Sequence, residues 1–268
     1  MKNIAAVFIL FLSTLTRAQE IKIDKELFHF GDRIHFFSDV LDEERVLNVY
    51  LPVGYHKDSL INYPVIYVLD GSKDEDFIHI AGLTQFLSYP WINAMTPAIV
   101  VGVENVDRIR DFTYPSSDTA YTNAYPMSGH SATFIRFLRS EVKSIINQNY
   151  SVNQNQEILL GQSLGGLLAT EILLNYPKVY DQYVIVSPSL WYDNESLLDL
   201  EEANFNVVAP VFIAVGAEGR IMKSVAKKLY KKLKKKSHQI YFEYFPNHSH
   251  GDVLHLAAYK AFSTLNIH

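Results

Sequence analysis

The stretch Glu157-Ile158-Leu159-Leu160-Gly161-Gln162-Ser163-Leu164-Gly165-Gly166 decides the fold. Its first half is a short apolar run of the kind that forms a buried strand, and its second half opens the helical pattern of Leu164 to Asn175. At the junction sits G-x-S-x-G, Gly161 to Gly165. A strand-to-helix turn this tight leaves no room for a side chain two residues before or two after the serine. The serine is thereby pushed out of the sheet onto a helix N-terminus, where backbone N–H groups and the helix dipole favour negative charge. Ser163 is the candidate nucleophile, and the N–H of Leu164 is the first candidate donor to an oxyanion formed beside it.

Outward from this point, short β-rich runs alternate with longer helical ones. Strands are expected over Ile34–Ser38, Arg45–Leu51, Val65–Leu69, Ala98–Val103, Glu157–Gly161, Tyr183–Ser187, Val211–Val215 and Gln239–Phe245. The runs at 65–69, 99–101, 183–186 and 211–215 are continuously apolar, which marks strands covered on both faces, as in a parallel sheet. The two earliest runs alternate more and read as an antiparallel start to that sheet. Helices are expected over Thr133–Gln148, Leu164–Asn175, Met222–Lys235 and Val253–Leu265. The class is α/β, with a mostly parallel central sheet of about eight strands and helices on both faces. The lysines between Lys227 and Lys236 flank an apolar stripe of Val225, Leu229 and Leu233, so they read as the solvated face of an amphipathic helix.

Composition narrows the chemistry. The 268 residues are 48% hydrophobic and contain no cysteine, so thiolate metal sites, disulfides and cysteine nucleophiles are excluded. With 24 basic and 29 acidic residues the net charge is -5, which argues against nucleic acid as a partner. Residues 1–18 read as a signal peptide, with Lys2, an apolar run from Ile4 to Leu12 and cleavage after Ala18. The apolar run is too short to span a bilayer, so residues 19–268 are expected as one soluble domain, periplasmic or secreted, with no stable membrane insertion. Oligomeric state is not legible.

A serine hydroxyl needs a base to take its proton and an acid to orient that base, and in this fold they follow in the order serine, acid, histidine. The strand Val211–Val215 runs into Gly216-Ala217-Glu218-Gly219, and the last strand runs into Pro246-Asn247-His248-Ser249-His250-Gly251-Asp252. Glu218 is therefore the candidate acid, with Asp193, Glu195 and Asp252 as alternates. His250 is the candidate base, with His248 as its alternate. A second oxyanion donor is expected from the loop after Val65–Leu69, at Gly71 or Ser72.

Taken in order, Tyr63 to Gly71, Arg108-Ile109-Arg110-Asp111-Phe112-Thr113, the elbow Gly161 to Gly166, Ser187-Pro188-Ser189-Leu190-Trp191 and His250-Gly251 resemble the Putative esterase family of α/β-hydrolases. That group holds esterase D, feruloyl esterases, mycolyltransferases and the enterochelin and salmochelin esterases, and its periplasmic siderophore-esterase branch is the nearest fit. The resemblance implies Ser163 as nucleophile, His250 as base, donors from Leu164 and the Gly71 loop, and a substrate site lined by Arg108 and the loop around Trp191. Two positions depart from the pattern: Tyr192 stands where many relatives carry a second tryptophan, and Gly219 stands where they tend to place the loop acid. Some siderophore esterases of this group work with a serine–histidine dyad.

The reading that follows is an exported serine esterase without a cofactor, acting on a small-molecule ester through an acyl-enzyme, possessing a siderophore-type or aromatic acyl substrate. Acyl transfer on the same fold is the alternative within this chemistry. A metal-dependent hydrolase is the alternative outside it, because His248, His250 and Asp252 have ligand-like spacing.

Overall fold

The computed structural model describes residues 21–58, 60–201, 209–265 and 267, so the leader expected over residues 1–18 lies outside the described residues. Residues 21–30 carry no regular secondary structure, and residues 31–268 make one compact unit. In chain order its elements are β1 (Asp32–Ser38), β2 (Glu43–Tyr50), β3 (Tyr63–Val68), α1 (Asp76–Leu87), β4 (Ile99–Val103), α2 (Arg108–Phe112), α3 (Thr119–Ala124) and α4 (Ser131–Phe137). A π-helical turn, Leu138–Val142, joins α4 to α5 (Lys143–Asn149). There follow β5 (Val152–Gln162), α6 (Leu164–Asn175), β6 (Gln182–Val186), a 3₁₀ turn (Tyr192–Glu195), α7 (Ser196–Asp199), β7 (Val211–Gly216), α8 (Gly219–Lys234), β8 (Ile240–Phe245) and α9 (Val253–Thr264).

The eight strands form one sheet in the order β1-β2-β4-β3-β5-β6-β7-β8. β2 pairs antiparallel with β1 and β4, and every pairing from β4 through β8 is parallel. The continuously apolar runs are β3, β4, β6 and β7, buried along nearly their whole length because helices cover both of their faces. Val65, Tyr67, Val101, Leu159, Ile185 and Ile213 point to the face packed by α4, α6 and α8. Their strand neighbours, such as Ile66, Val100, Leu160 and Val184, are equally buried and face the side where α1 and α9 pack together. Among the described residues, no helix is long and apolar enough to cross a membrane.

Two local results were not expected from the pattern. Helix α1 buries Phe77, Ile80, Ala81, Leu83, Thr84 and Leu87, yet Ile78 and Phe86 face solvent, so its apolar residues do not confine themselves to one stripe. The expected single helix over Thr133–Gln148 is interrupted by the π turn, which carries Glu141. That carboxylate accepts from Ser38 Oγ at 2.5 Å and from the N–H of Val40 at 3.0 Å, closing the β1–β2 turn.

Candidate active site

The site is assembled at the carboxyl edge of the sheet, where the chain leaves β3, β5, β6 and β7. After three of those strands a non-glycine residue adopts positive φ: Asp70 at 59°, Ser163 at 59° and Ser187 at 44°. Such conformations are costly for residues with a Cβ and persist where the surroundings over-determine them. At the elbow the reason is visible. A Cβ on Gly161 would lie 2.3 Å from the carbonyl oxygen of Gly165, so strand and helix approach too closely for any side chain there. Ser163 stands between them, its N–H donating to Val186 O at 3.0 Å and its carbonyl accepting from Ser189 N at 3.0 Å, which ties the elbow to the loop after β6.

The loop after β7 and the loop after β8 meet at the same edge. His250 Nδ1 lies 2.5 Å from Glu218 Oε2. The other carboxylate oxygen, Oε1, accepts from the hydroxyl of Ser187 and, at 2.9 Å, from the N–H of Gly216. Glu218 is only 4% exposed, against 46% for His250. Burial pushes the Glu218 carboxyl up, but the hydrogen bonds from His250, Ser187 and Gly216 outweigh it and hold the group below its ordinary value of 4.5. The carboxylate therefore stays ionised and fixes the imidazole with Nε2 free for chemistry. Gln162, beside the serine, donates through Nε2 to the carbonyl of His250 at 2.6 Å, bracing the base against the elbow.

Ser163 and His250 line one cleft of about 410 Å³, together with Asp70, Glu75, Asp76, Arg108, Gln162 and Gly251. Ser163 Oγ lies 3.4 Å from Ser189 Oγ, and among the described hydrogen bonds none joins it to His250. Leu164 opens α6, so its N–H has no carbonyl behind it within the helix.

The remaining candidates separate cleanly. Arg108 forms a fork onto Asp70, Nε to Oδ1 at 2.6 Å and Nη2 to Oδ2 at 2.8 Å, and walls the cleft. Trp191 is 43% exposed on the loop after β6 and lies outside the set that lines the cleft. Gly71 is not a free donor, correcting that expectation: its N–H is spent on Val103 O at 3.0 Å. Its lack of a side chain serves packing, since a Cβ there would fall 2.3 Å from Gly102 Cα. Ser72 is the member of that pair whose N–H is left without a backbone acceptor among the described hydrogen bonds.

Of the alternate acids, Asp193 accepts from Ser116 and Ser117, and Glu195 pairs with Lys228, so neither reaches the imidazole. His248 lies 3.3 Å from Asp252 Oδ2, which also accepts through Oδ1 from Ser249. With His250 committed to Glu218, the three residues of ligand-like spacing do not converge; among the described residues no group of three or more histidines and carboxylates could hold a metal. Sequence reasoning gave no role to Ser187, Gln162 or Asp70. The Ser-Pro-Ser run after β6 was the available signal for Ser187, and nothing in the sequence singled out the other two.

The family model for Putative esterase matches residues 38–253. The chain belongs to that family. Ferri-bacillibactin esterase BesA of Bacillus subtilis (strain 168) is 26% identical over 173 residues, 59% of this chain and 58% of that enzyme, so the match spans little more than half of the relative's length. The BES protein of Bacillus cereus superposes with a TM-score of 0.78 at 25% identity, covering 92% of this chain and 99% of that one. An IroE-like serine hydrolase of Shewanella oneidensis gives 0.77 at 26% identity, covering 87% and 79%. The eight-stranded sheet with helices on both faces is thus the α/β-hydrolase fold.

Proposed function

We propose that the chain is a serine carboxylic ester hydrolase acting on small-molecule esters of the siderophore or aromatic acyl type. The observation that carries this is the buried Glu218 holding His250 on the cleft that also presents Ser163. A short turn of the Ser163 side chain away from Ser189 brings its hydroxyl toward His250 Nε2, which takes the proton as the oxygen attacks the ester carbonyl. The tetrahedral oxyanion is received by the N–H groups of Leu164 and Ser72. Collapse of that intermediate breaks the ester bond, and His250 returns its proton to the departing alcohol. Water, deprotonated by the same imidazole, then attacks the acyl-enzyme and releases the acid with Ser163 restored. Glu218 remains ionised throughout and steadies the imidazolium.

The similarity to an esterase named for ferri-bacillibactin supports the substrate class. The exported form is residues 19–268, a single domain freed of its leader and acting in the periplasm or outside the cell. A fluorophosphonate probe is expected to label wild type once, on Ser163, and to leave Ser163→Ala unlabelled. Hydrolysis of p-nitrophenyl, feruloyl and trilactone siderophore esters, compared side by side, assigns the substrate. Hydrolysis that survives Ser163→Ala would overturn the reading, and N-terminal sequencing of exported protein that does not begin at Gln19 would overturn the processing.

A further inference from the structure

Ser187, the residue after β6, is fully buried, yet its φ of 44° lies in the left-handed region that suits glycine. The proline that follows narrows its backbone choices further. Glycine would take this conformation at lower cost; what serine adds is a hydroxyl, and that hydroxyl donates to Oε1 of Glu218. The corner is tied to the nucleophile on both sides. Before it, Val186 O accepts the N–H of Ser163 at 3.0 Å. After it, Pro188 packs on α6 so closely that a Cβ on Gly166 would lie 3.0 Å from Pro188 Cα. The N–H of Ser187 itself donates to Ala214 O on β7 at 2.7 Å.

We propose that Ser187 is a positioning residue: its hydroxyl carries the position of the nucleophile elbow to Glu218, and through Glu218 it sets where His250 stands relative to Ser163. This rests on the esterase reading above. The two oxygens of Glu218 have separate duties. Oε2 faces His250 Nδ1 at 2.5 Å, and Oε1 receives Ser187 together with the N–H of Gly216 at 2.9 Å. Gly216 stands two residues before Glu218, so its bond fixes the carboxylate only relative to its own stretch of chain. Ser187 is the donor that comes from a different strand end, the one that also tethers Ser163. Without it the carboxylate is free to turn about its remaining bonds, and the imidazole loses its fixed distance from the nucleophile. Ser187 lies outside the set that lines the cleft, so it acts through Glu218. Its hydrogen bond also favours the ionised carboxylate, in keeping with a Glu218 pKa below the ordinary value.

The test compares wild type, Ser187→Ala, Ser187→Gly and Ser187→Cys in steady-state hydrolysis of p-nitrophenyl butyrate, in thermal melting and in the far-downfield proton NMR spectrum. Ser187→Ala and Ser187→Gly are expected to lose kcat by at least about fivefold with KM unchanged. The Nδ1–H signal of His250, assigned by its loss in His250→Ala, should move upfield or broaden in both. Ser187→Cys keeps the shape with a weaker donor and should recover part of each effect. Stability supplies the control. Glycine relieves the left-handed φ, so Ser187→Gly should melt above Ser187→Ala. A serine that only held the fold together would then leave Ser187→Gly the more active of the two. A kcat loss below about fivefold, an unmoved Nδ1–H signal, or activities that rank with melting temperature would each overturn the proposal. Hydrolysis that survives Ser163→Ala would overturn the esterase reading itself, whatever the Ser187 variants show.

Discussion

Replacing Glu218 by glutamine removes one charge while keeping the shape of the side chain. On the proposed mechanism His250 carries a full positive charge in the transition state, beside that carboxylate, with the two groups 2.5 Å apart across the Nδ1 contact. Taking about 4 Å between charge centres and an effective dielectric of about 20 gives an attraction of about 4 kcal/mol. That corresponds to roughly three decades in rate. Because the interaction grows as the proton moves, kcat should fall about 10³-fold with little change in KM. The assay is steady-state hydrolysis of p-nitrophenyl butyrate, with a urea melt to confirm folding. Ser187 and Gly216 lose a charged acceptor but keep an amide oxygen in reach, so the stability loss should stay within about 1–3 kcal/mol. The pH signature is separate. Since the Glu218 pKa is lowered on folding, its stabilisation is complete above the ordinary glutamate value of 4.5 and disappears as pH falls through the lower folded value. Wild type should lose its advantage over the variant in that acid window. A loss in kcat of less than about tenfold would show that the imidazole works as a dyad with the serine and that Glu218 is structural.

His250→Ala should lose hydrolysis about 10³-fold or more, while His248→Ala should stay within about threefold of wild type, as p-nitrophenyl ester kinetics will show. Glu171, 6% exposed on α6 with Ser131 Oγ at 3.0 Å, has its carboxyl pushed up by burial to about 7. A carboxyl whose pKa is raised on folding loses stability as pH climbs from the ordinary value of 4.5 to about 7, so between about pH 4 and pH 8 Glu171→Gln should gain about 3 kcal/mol on wild type, read by urea unfolding. Gly161→Ala should be destabilised by about 1–3 kcal/mol or fail to fold, because its methyl would meet the Gly165 carbonyl at 2.3 Å; a stable, fully active variant would refute the account of the elbow.

What was legible in the sequence follows from how local the cause is. The elbow is written in consecutive residues because its constraint is steric and acts within one turn, so α6 begins and ends where its pattern says, Leu164 to Asn175. The inner strands were legible for the same reason: β3, β4, β6 and β7 each carry their burial in their own apolar run, whereas β1 shows as an alternation. Helix α1 was not legible, because Ile78 and Phe86 point to solvent and blur the stripe that would have announced it. The π turn was not legible in the helical pattern, and the partners of its Glu141, Ser38 and Val40, lie about a hundred residues upstream in the chain.

The polar side of the site shows the same division. Glu218 could be placed by chain order, but an acid in a loop is ordinarily a solvated charge, and what changes its character is three donors brought from β6, β7 and the last loop. Gly71 misled for a related reason. A glycine after a strand permits either a backbone N–H offered to a ligand or a backbone packed against its neighbour, and only the position of Gly102 on β4 selects the second. Arg108 was expected at the substrate site from the family resemblance; Asp70 satisfies its charge with a two-bond fork, so Arg108 contributes to the cleft as half of an ion pair. On the proposed function an anionic substrate group would meet a wall whose one guanidinium is already engaged and whose carboxylates are Asp70, Glu75 and Asp76. Burial, reinforced by Asp70 and Glu75, raises the Asp76 carboxyl to about 6. Discrimination against anionic esters should then strengthen as pH rises through that value and relax in Asp76→Asn, measurable as the kcat/KM ratio between a succinyl and a butyryl ester of the same alcohol; a ratio flat across that pH range in wild type would show that the wall does not touch the substrate.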